Sequence, residues 1–175
     1  MIGEKVFLRA VEMEDIDTLY QFENDVDIWH LSDTIMPFSR FTIEQYVINS
    51  MAQDIYSLKQ LRLIICETTT KNPVGLIDLY DFNPTHRRAG VGIIIATPYR
   101  RKSYASEALQ LLQNYAFSTL QLHQLYCSIS EDNKASINLF LQSGFIKTAT
   151  RKSWNNKNGK WLDEYFLQLI ANKDR

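Results

Sequence analysis

A mixed α/β fold is what this 175-residue chain predicts, and three observations carry the prediction. Short β-branched runs alternate with stretches of helical periodicity. Strand–helix–strand order in the second half calls for a parallel pair, whereas the first half reads as antiparallel. An Asn158-Gly159 pair divides the last two strand-like runs, a strong type I′ hairpin signal.

The elements follow in order. Val6-Phe7-Leu8-Arg9 is a short strand, and then Ile16, Leu19, Tyr20 and Phe22 share a helical face, with Glu14, Asp15 and Asp17 at its positive end. A second helix is expected over 42–53, with Ile43, Tyr46, Val47 and Met51 on one side. Residues 62–67 and 74–82 read as paired strands around a turn at 68–72. The run 89–96 shows little alternation, which suits a central strand buried on both faces, and Thr97-Pro98-Tyr99 ends it. Ala105, Ala108, Leu109, Leu112, Ala116 and Leu120 recur at helical spacing. Residues 125–130 form another strand. Asp132 or Asn133 can then cap a short helix carrying Ile137, Phe140 and Leu141, with Gly144 at its C′ position. No repeat, low-complexity tract or Pro/Gly/Ser-rich linker intervenes, so 1–175 is read as a single domain.

Composition excludes several classes. A net charge of −1 points neither to nucleic acid nor to an anionic membrane. No apolar run approaches a membrane span, and Met1-Ile2-Gly3-Glu4-Lys5 does not open a targeting leader. Cys66 and Cys127 sit in strand-like runs and read as buried thiols, which with the missing leader suggests a reducing cytoplasmic setting. His30, His86 and His123 have no metal-ligand spacing, so no metal is expected.

The informative unit is the buried strand followed at once by Tyr99-Arg100-Arg101-Lys102-Ser103-Tyr104-Ala105 and a long helix. A helix start offers unpaired N–H groups and partial positive charge, a ready anion site. Three cations strengthen it, and small residues let a phosphate approach the backbone. A solvated basic loop before a helix is the plainer alternative. No P-loop or dinucleotide fingerprint is present.

Leu76-Ile77-Asp78-Leu79, His86-Arg87-Arg88-Ala89, Ile93-Ile94-Ile95, the basic turn, Asn133-Lys134-Ala135-Ser136 and Gly144-Phe145 follow one another in this order. The ensemble resembles the GNAT superfamily of N-acetyltransferases. It is most similar to the bacterial spermidine/diamine acetyltransferases and the ribosomal-protein N-terminal acetyltransferases. The resemblance implies a mostly antiparallel sheet with helices on both faces and splayed central strands. It implies acetyl-CoA as co-substrate, with Ile93, Ile94 and Ile95 along the acetyl and pantetheine portion. Arg100, Arg101, Lys102, Ser103, Tyr104, Ala105 and Ser106 then occupy the pyrophosphate loop, and Asn133 with Ser136 the pantetheine side. Gly90 and Gly92 suit close backbone approach in such a strand.

Three departures from the family pattern stand out. Arg101 and Ser103 replace glycines of the loop; if Ser103 must adopt positive φ, serine costs energy there. Phe140 fills the position of the family's tyrosine acid and cannot donate a proton; Tyr104 or water is the substitute donor. Such an acid is typically worth ~10²–10⁴-fold, although a thiol of pKa ~8.5 leaves tolerably without one. Gly90 stands where the spermidine enzymes carry a glutamate. On the acceptor side an amine of pKa ~10.4 must lose a proton, and Asp78 is either the base or a strand residue facing water. Asp81, an odd number of residues further on, falls on the other face of a regular strand.

Glu23, Asp25, Asp27 and Asp33 either line an acceptor groove or form a solvated acidic face. Trp29, His30, Trp154 and Trp161 offer either cation–π contacts to an amine or ordinary packing. The expected activity is acetyl transfer from acetyl-CoA to a primary amine, of a polyamine, a diamine or a protein N-terminus, by direct attack. A CoA-binding sensor or interaction module of the same fold is the alternative, resting on Phe140. The hairpin and exposed strands suit a homodimer or higher homo-oligomer.

Overall fold

The computed structural model describes residues 1–26 and 35–171. One seven-stranded sheet organises it, in the order β1-β2-β3-β4-β5-β7-β6. The strands are β1 (Val6–Ala10), β2 (Leu61–Glu67), β3 (Pro73–Asn83), β4 (Arg88–Ile95), β5 (Gln124–Ser130), β6 (Ile146–Lys157) and β7 (Lys160–Ile170). Every neighbouring pair is antiparallel except β4 with β5, which is parallel.

Alternation along the strands divides the core into two layers. Ile64 and Cys66 of β2 and Leu76 of β3 pack with Leu19 of α1 (Ile16–Glu23) and with Ile43 and Val47 of α2 (Arg40–Ala52). Ile65, Ile77, Leu79 and Val91 face the other way, onto Ala108, Leu109, Leu112 and Ala116 of α4 (Tyr104–Ser118) and Phe140 of α5 (Lys134–Gln142). Tyr20 and Met51, expected on the inward stripes, are exposed, so α1 and α2 bury narrower faces than their patterns suggested.

Between α2 and β2 lies a four-residue helix that periodicity cannot reveal, α3 (Ile55–Leu58). Its cap is Asp54, whose carboxylate accepts the Ser57 N–H at 2.9 Å. Asn133 caps α5 by accepting the Ser136 N–H at 3.1 Å, and Gly144 takes φ +91° just beyond its end. The β6–β7 turn has φ +52° at Asn158 and +82° at Gly159, as a type I′ hairpin requires.

The feature that positions the site is a parting of strands. β4 and β5 pair only at Arg88–Gln124, Ala89–Leu125 and Gly90–Tyr126. β4 then runs on to Ile95 beside β3, and β5 to Ser130 beside β7, with no ladder between them. Burial of β4 on both faces therefore holds only through Val91; Gly92, Ile93 and Ile94 are half-buried because their neighbour has gone.

Candidate active site

A cleft of about 1020 Å³ opens where the two strands separate. Residues 91–95 line one wall, 127–130 the other, with Asn133, Ser136 and Phe140 of the α5 segment and Trp154 of β6 completing it. Amides of β4 directed away from β3 have no acceptor in β5 along this stretch, so they are available to a ligand carbonyl. At its far end the cleft meets the basic turn and the start of α4, where Arg100, Arg101, Ser103, Tyr104, Ala105 and Ser106 line it.

The turn keeps a glycine-like backbone without glycine. A 3₁₀ turn at Thr97–Tyr99 leads into Arg100, and then Arg101 (φ +64°) and Ser103 (φ +65°) both adopt the left-handed conformation. That region costs an L-residue roughly 1–2 kcal/mol. Ser103 makes no side-chain cap bond, so its hydroxyl remains available beside the first amides of α4. Arg100 donates through Nε to the Ile95 carbonyl at 3.0 Å, which holds its guanidinium over the end of β4. Lys102, expected with these cations, is turned aside. Its ammonium lies over the rings of Tyr99 and Tyr104, and its side chain does not line the cleft.

Two carboxylates brace this helix start. Glu107, in the first turn of α4, accepts the backbone N–H groups of Glu4, Lys5 and Val6 at 2.6, 2.8 and 2.9 Å. Three amides thus absorb a negative charge that would otherwise oppose an anion nearby. Glu67 accepts from Thr70 Oγ1 at 2.6 Å and from the Tyr104 hydroxyl. These hydrogen bonds hold Glu67 below the usual carboxylate range, and the Tyr104 hydroxyl in turn is raised. The one proton Tyr104 could donate is therefore committed to Glu67.

Phe140 is 2% exposed and packs edge-on against Phe145, with ring centroids 4.9 Å apart. Cys127 also borders the cleft, and burial pushes its thiol up to about 12. Both cysteines are buried and free.

On the α1–α2 side of the sheet, Asp78 stands across the ladder from Gly92 at the point of separation. Its Oδ2 is 3.8 Å from where a Cβ on Gly92 would be. It is ion-paired. Arg62, its ladder partner on β2, donates from Nε to Oδ1 at 2.6 Å and from Nη2 to Oδ2 at 3.0 Å. The third arm of Arg62, Nη1, is bonded to Glu23 of α1, and the guanidinium lies 5.0 Å from the Tyr46 ring centre. Burial alone would lower the Arg62 pKa, but Asp78, together with Tyr46 and Glu23, overcomes it and the group is raised.

Asp81 does not sit on a regular strand. The β3–β4 register breaks between Tyr80 and Asn83, Asp81 takes φ +48°, and its carboxylate accepts the Tyr126 hydroxyl at 3.4 Å. The Tyr80 ring fills the space over Gly90, where an added Cβ would come within 2.3 Å of it. A glutamate at position 90 therefore has no room while Tyr80 keeps its place. Trp154 and Trp161 are mostly exposed on the hairpin, and Arg151 stands over the Trp154 ring while bonding Glu164. Trp29, His30, Asp27 and Asp33 lie outside the described residues.

Arg62, Tyr80, Glu67 and Glu107 are the participants that sequence reading passed over. Arg62 alone left a signal, being a single cation in an apolar strand, opposite Asp78 across a hairpin centred on Thr70. Among the described residues no group of three or more His, Cys, Asp or Glu could hold a metal ion, and no helix is long and apolar enough to cross a membrane.

Residues 5–146 match the model of the acetyltransferase (GNAT) domain. The chain is 25% identical to the spermidine N(1)-acetyltransferase of Vibrio cholerae, covering 98% of this chain and 96% of that one. It is 29% identical to the spermidine N(1)-acetyltransferase of Escherichia coli, over 94% of this chain and 80% of the other. Among solved structures, the Vibrio cholerae spermidine N-acetyltransferase in complex with CoA and spermine superposes with a TM-score of 0.85 at 24% identity, covering 96% of both chains.

Proposed function

The chain belongs to the GNAT acetyltransferase family and is an acetyl-CoA-dependent N-acetyltransferase, and from that premise we propose that its acceptor is the primary amine of a small diamine or polyamine. The acceptor reading is supported by the near full-length similarity to spermidine N(1)-acetyltransferases, and the donor site by the parting of β4 and β5 after Gly90, which leads without interruption to the basic start of α4. Its two ends suit the two ends of one long ligand, a thioester carbonyl against strand amides and a pyrophosphate against a helix terminus.

In this reading, Arg100, Arg101, Ser103, Ala105 and Ser106 hold the pyrophosphate, and Asn133 and Ser136 border the pantetheine arm. Those amides of residues 92–95 that point away from β3 stabilise the oxyanion as the amine nitrogen bonds to the thioester carbon. The nitrogen of the tetrahedral intermediate then sheds its second proton to water, the C–S bond breaks with the sulfur leaving as thiolate, and water passes that proton on to the sulfur. Phe140 has none to give, and Tyr104 is occupied by Glu67. The ammonium proton of the acceptor passes to Asp78, which faces Gly92 as the carboxylate half of an ion pair. The whole of 1–175 is read as one catalytic domain, acting in the cytoplasm. Exposed Ile146, Trp161 and Ile170 on the β6–β7 hairpin support a homo-oligomer.

Thiol release from acetyl-CoA, measured across diamines, polyamines and peptide N-termini, tests the proposal. Turnover with diamines or polyamines and none with peptides is the expected result. Turnover confined to peptides would make a protein N-terminus the acceptor. Binding of acetyl-CoA with no turnover on any amine would leave a CoA-binding module of this fold.

A further inference from the structure

Arg62, Glu23, Asp78 and Tyr46 form an enclosed charged cluster on the acceptor side of the sheet. The side chains of Arg62, Glu23 and Asp78 are only 16%, 19% and 17% exposed. They come from three elements, β2, α1 and β3, and α2 adds the Tyr46 ring. Two carboxylates and an aromatic face converging on one point make a receptor for a cation. Here the cation is already present, because the Arg62 guanidinium bonds both carboxylates and lies over the ring. None of the four lines the cleft itself, but Asp78 stands across the ladder from Gly92, which does.

We propose that Arg62 is a specificity-determining residue, an internal cation occupying a socket that a second ammonium group of the acceptor would otherwise fill. This rests on the reading of the chain as an acetyltransferase for small aliphatic amines. Its consequence is a preference for acceptors of low charge. An amine with one further ammonium can keep it in solvent, whereas a tetra-amine brings several cations toward a guanidinium already seated between Glu23 and Asp78. Position 90 reinforces the preference, since the Tyr80 ring excludes a further acidic side chain there.

The experiment is a comparison of kcat/KM for spermine and for putrescine, taken as a ratio, in the wild-type chain and in variants. Arg62→Gln opens the socket, and the spermine-to-putrescine ratio is expected to rise about tenfold or more. Arg62→Lys keeps the charge, and the ratio is expected to stay within about twofold of wild type. Glu23→Gln weakens the socket from the opposite side without removing its cation, and the ratio is expected to fall about threefold; this variant also serves if Arg62→Gln does not fold. A change in kcat for both acceptors alike, with the ratio unmoved in Arg62→Gln or Glu23→Gln, would mean that Arg62 only supports the fold or Asp78, and would overturn the proposal. Wild-type chain that acetylates neither amine would overturn the acceptor reading itself, a different result from amines accepted at an unchanged ratio.

Discussion

Ser103 and Arg101 carry the left-handed backbone of the phosphate turn on side chains that pay for it in conformational energy. Their place in the turn was legible from the run of cations before a long helix, and so was the question of whether Ser103 takes positive φ. The conformation itself was not, because αL geometry at a serine is imposed by the strand and helix it joins. Ser103→Gly is expected to raise unfolding free energy by about 1 kcal/mol, read by chemical denaturation, and to leave acetyl-CoA affinity equal or tighter. Phe140 poses the converse case, a position whose chemistry was legible and whose packing was not. It is buried against Phe145 yet borders the cleft, so Phe140→Tyr would place a hydroxyl at the thiolate side. The expected gain in kcat is on the order of 10²-fold. A rate equal to wild type would show that water already meets the need for an acid.

Elements were read most reliably where a long periodic run met clear punctuation. The helix beginning near Ser103 and the hairpin at Asn158-Gly159 are of this kind. Reading failed where tertiary contact decides, as at Met51, which periodicity turned inward and the structure leaves exposed. What anchors the elements is set by charges far apart in sequence. Glu107 ties α4 to the start of β1 through three amides, and Glu107→Ala is expected to cost about 1.5–3 kcal/mol, measured by denaturant unfolding. β1 is joined to the entry of α1 by Arg9, whose Nη1 and Nη2 bond the buried Asp15 at 2.6 and 2.7 Å. Burial opposes the charge on Asp15, but the Arg9 and Glu12 hydrogen bonds overcome it and its pKa is lowered. Because the folded value lies below the unfolded value of about 3.9, the stabilisation is complete above that pH and is lost as pH falls through the folded pKa. Tm measured downward from pH 6 should therefore drop more steeply in the wild-type chain than in Asp15→Asn, which begins less stable.

At the scale of the molecule, the antiparallel first half and the parallel pair followed from element order, but the insertion of β7 between β5 and β6 did not. How far β4 and β5 stay paired did not either. The run 89–96 is as apolar beyond Gly90 as before it, and only the departure of β5 distinguishes its two halves. Cross-strand partnerships were hidden for the same reason, since the pairing of Arg62 with Asp78 needs a register, and Tyr80 over Gly90 needs two. The cleft so formed joins strand amides to a cationic helix start, and the claim that it holds acetyl-CoA is the one on which every other assignment depends. Calorimetric titration of acetyl-CoA into the wild-type chain and into Arg100→Ala/Arg101→Ala tests it most directly. Kd is expected to rise about tenfold or more in the double variant while it remains folded; an unchanged Kd would place acetyl-CoA elsewhere.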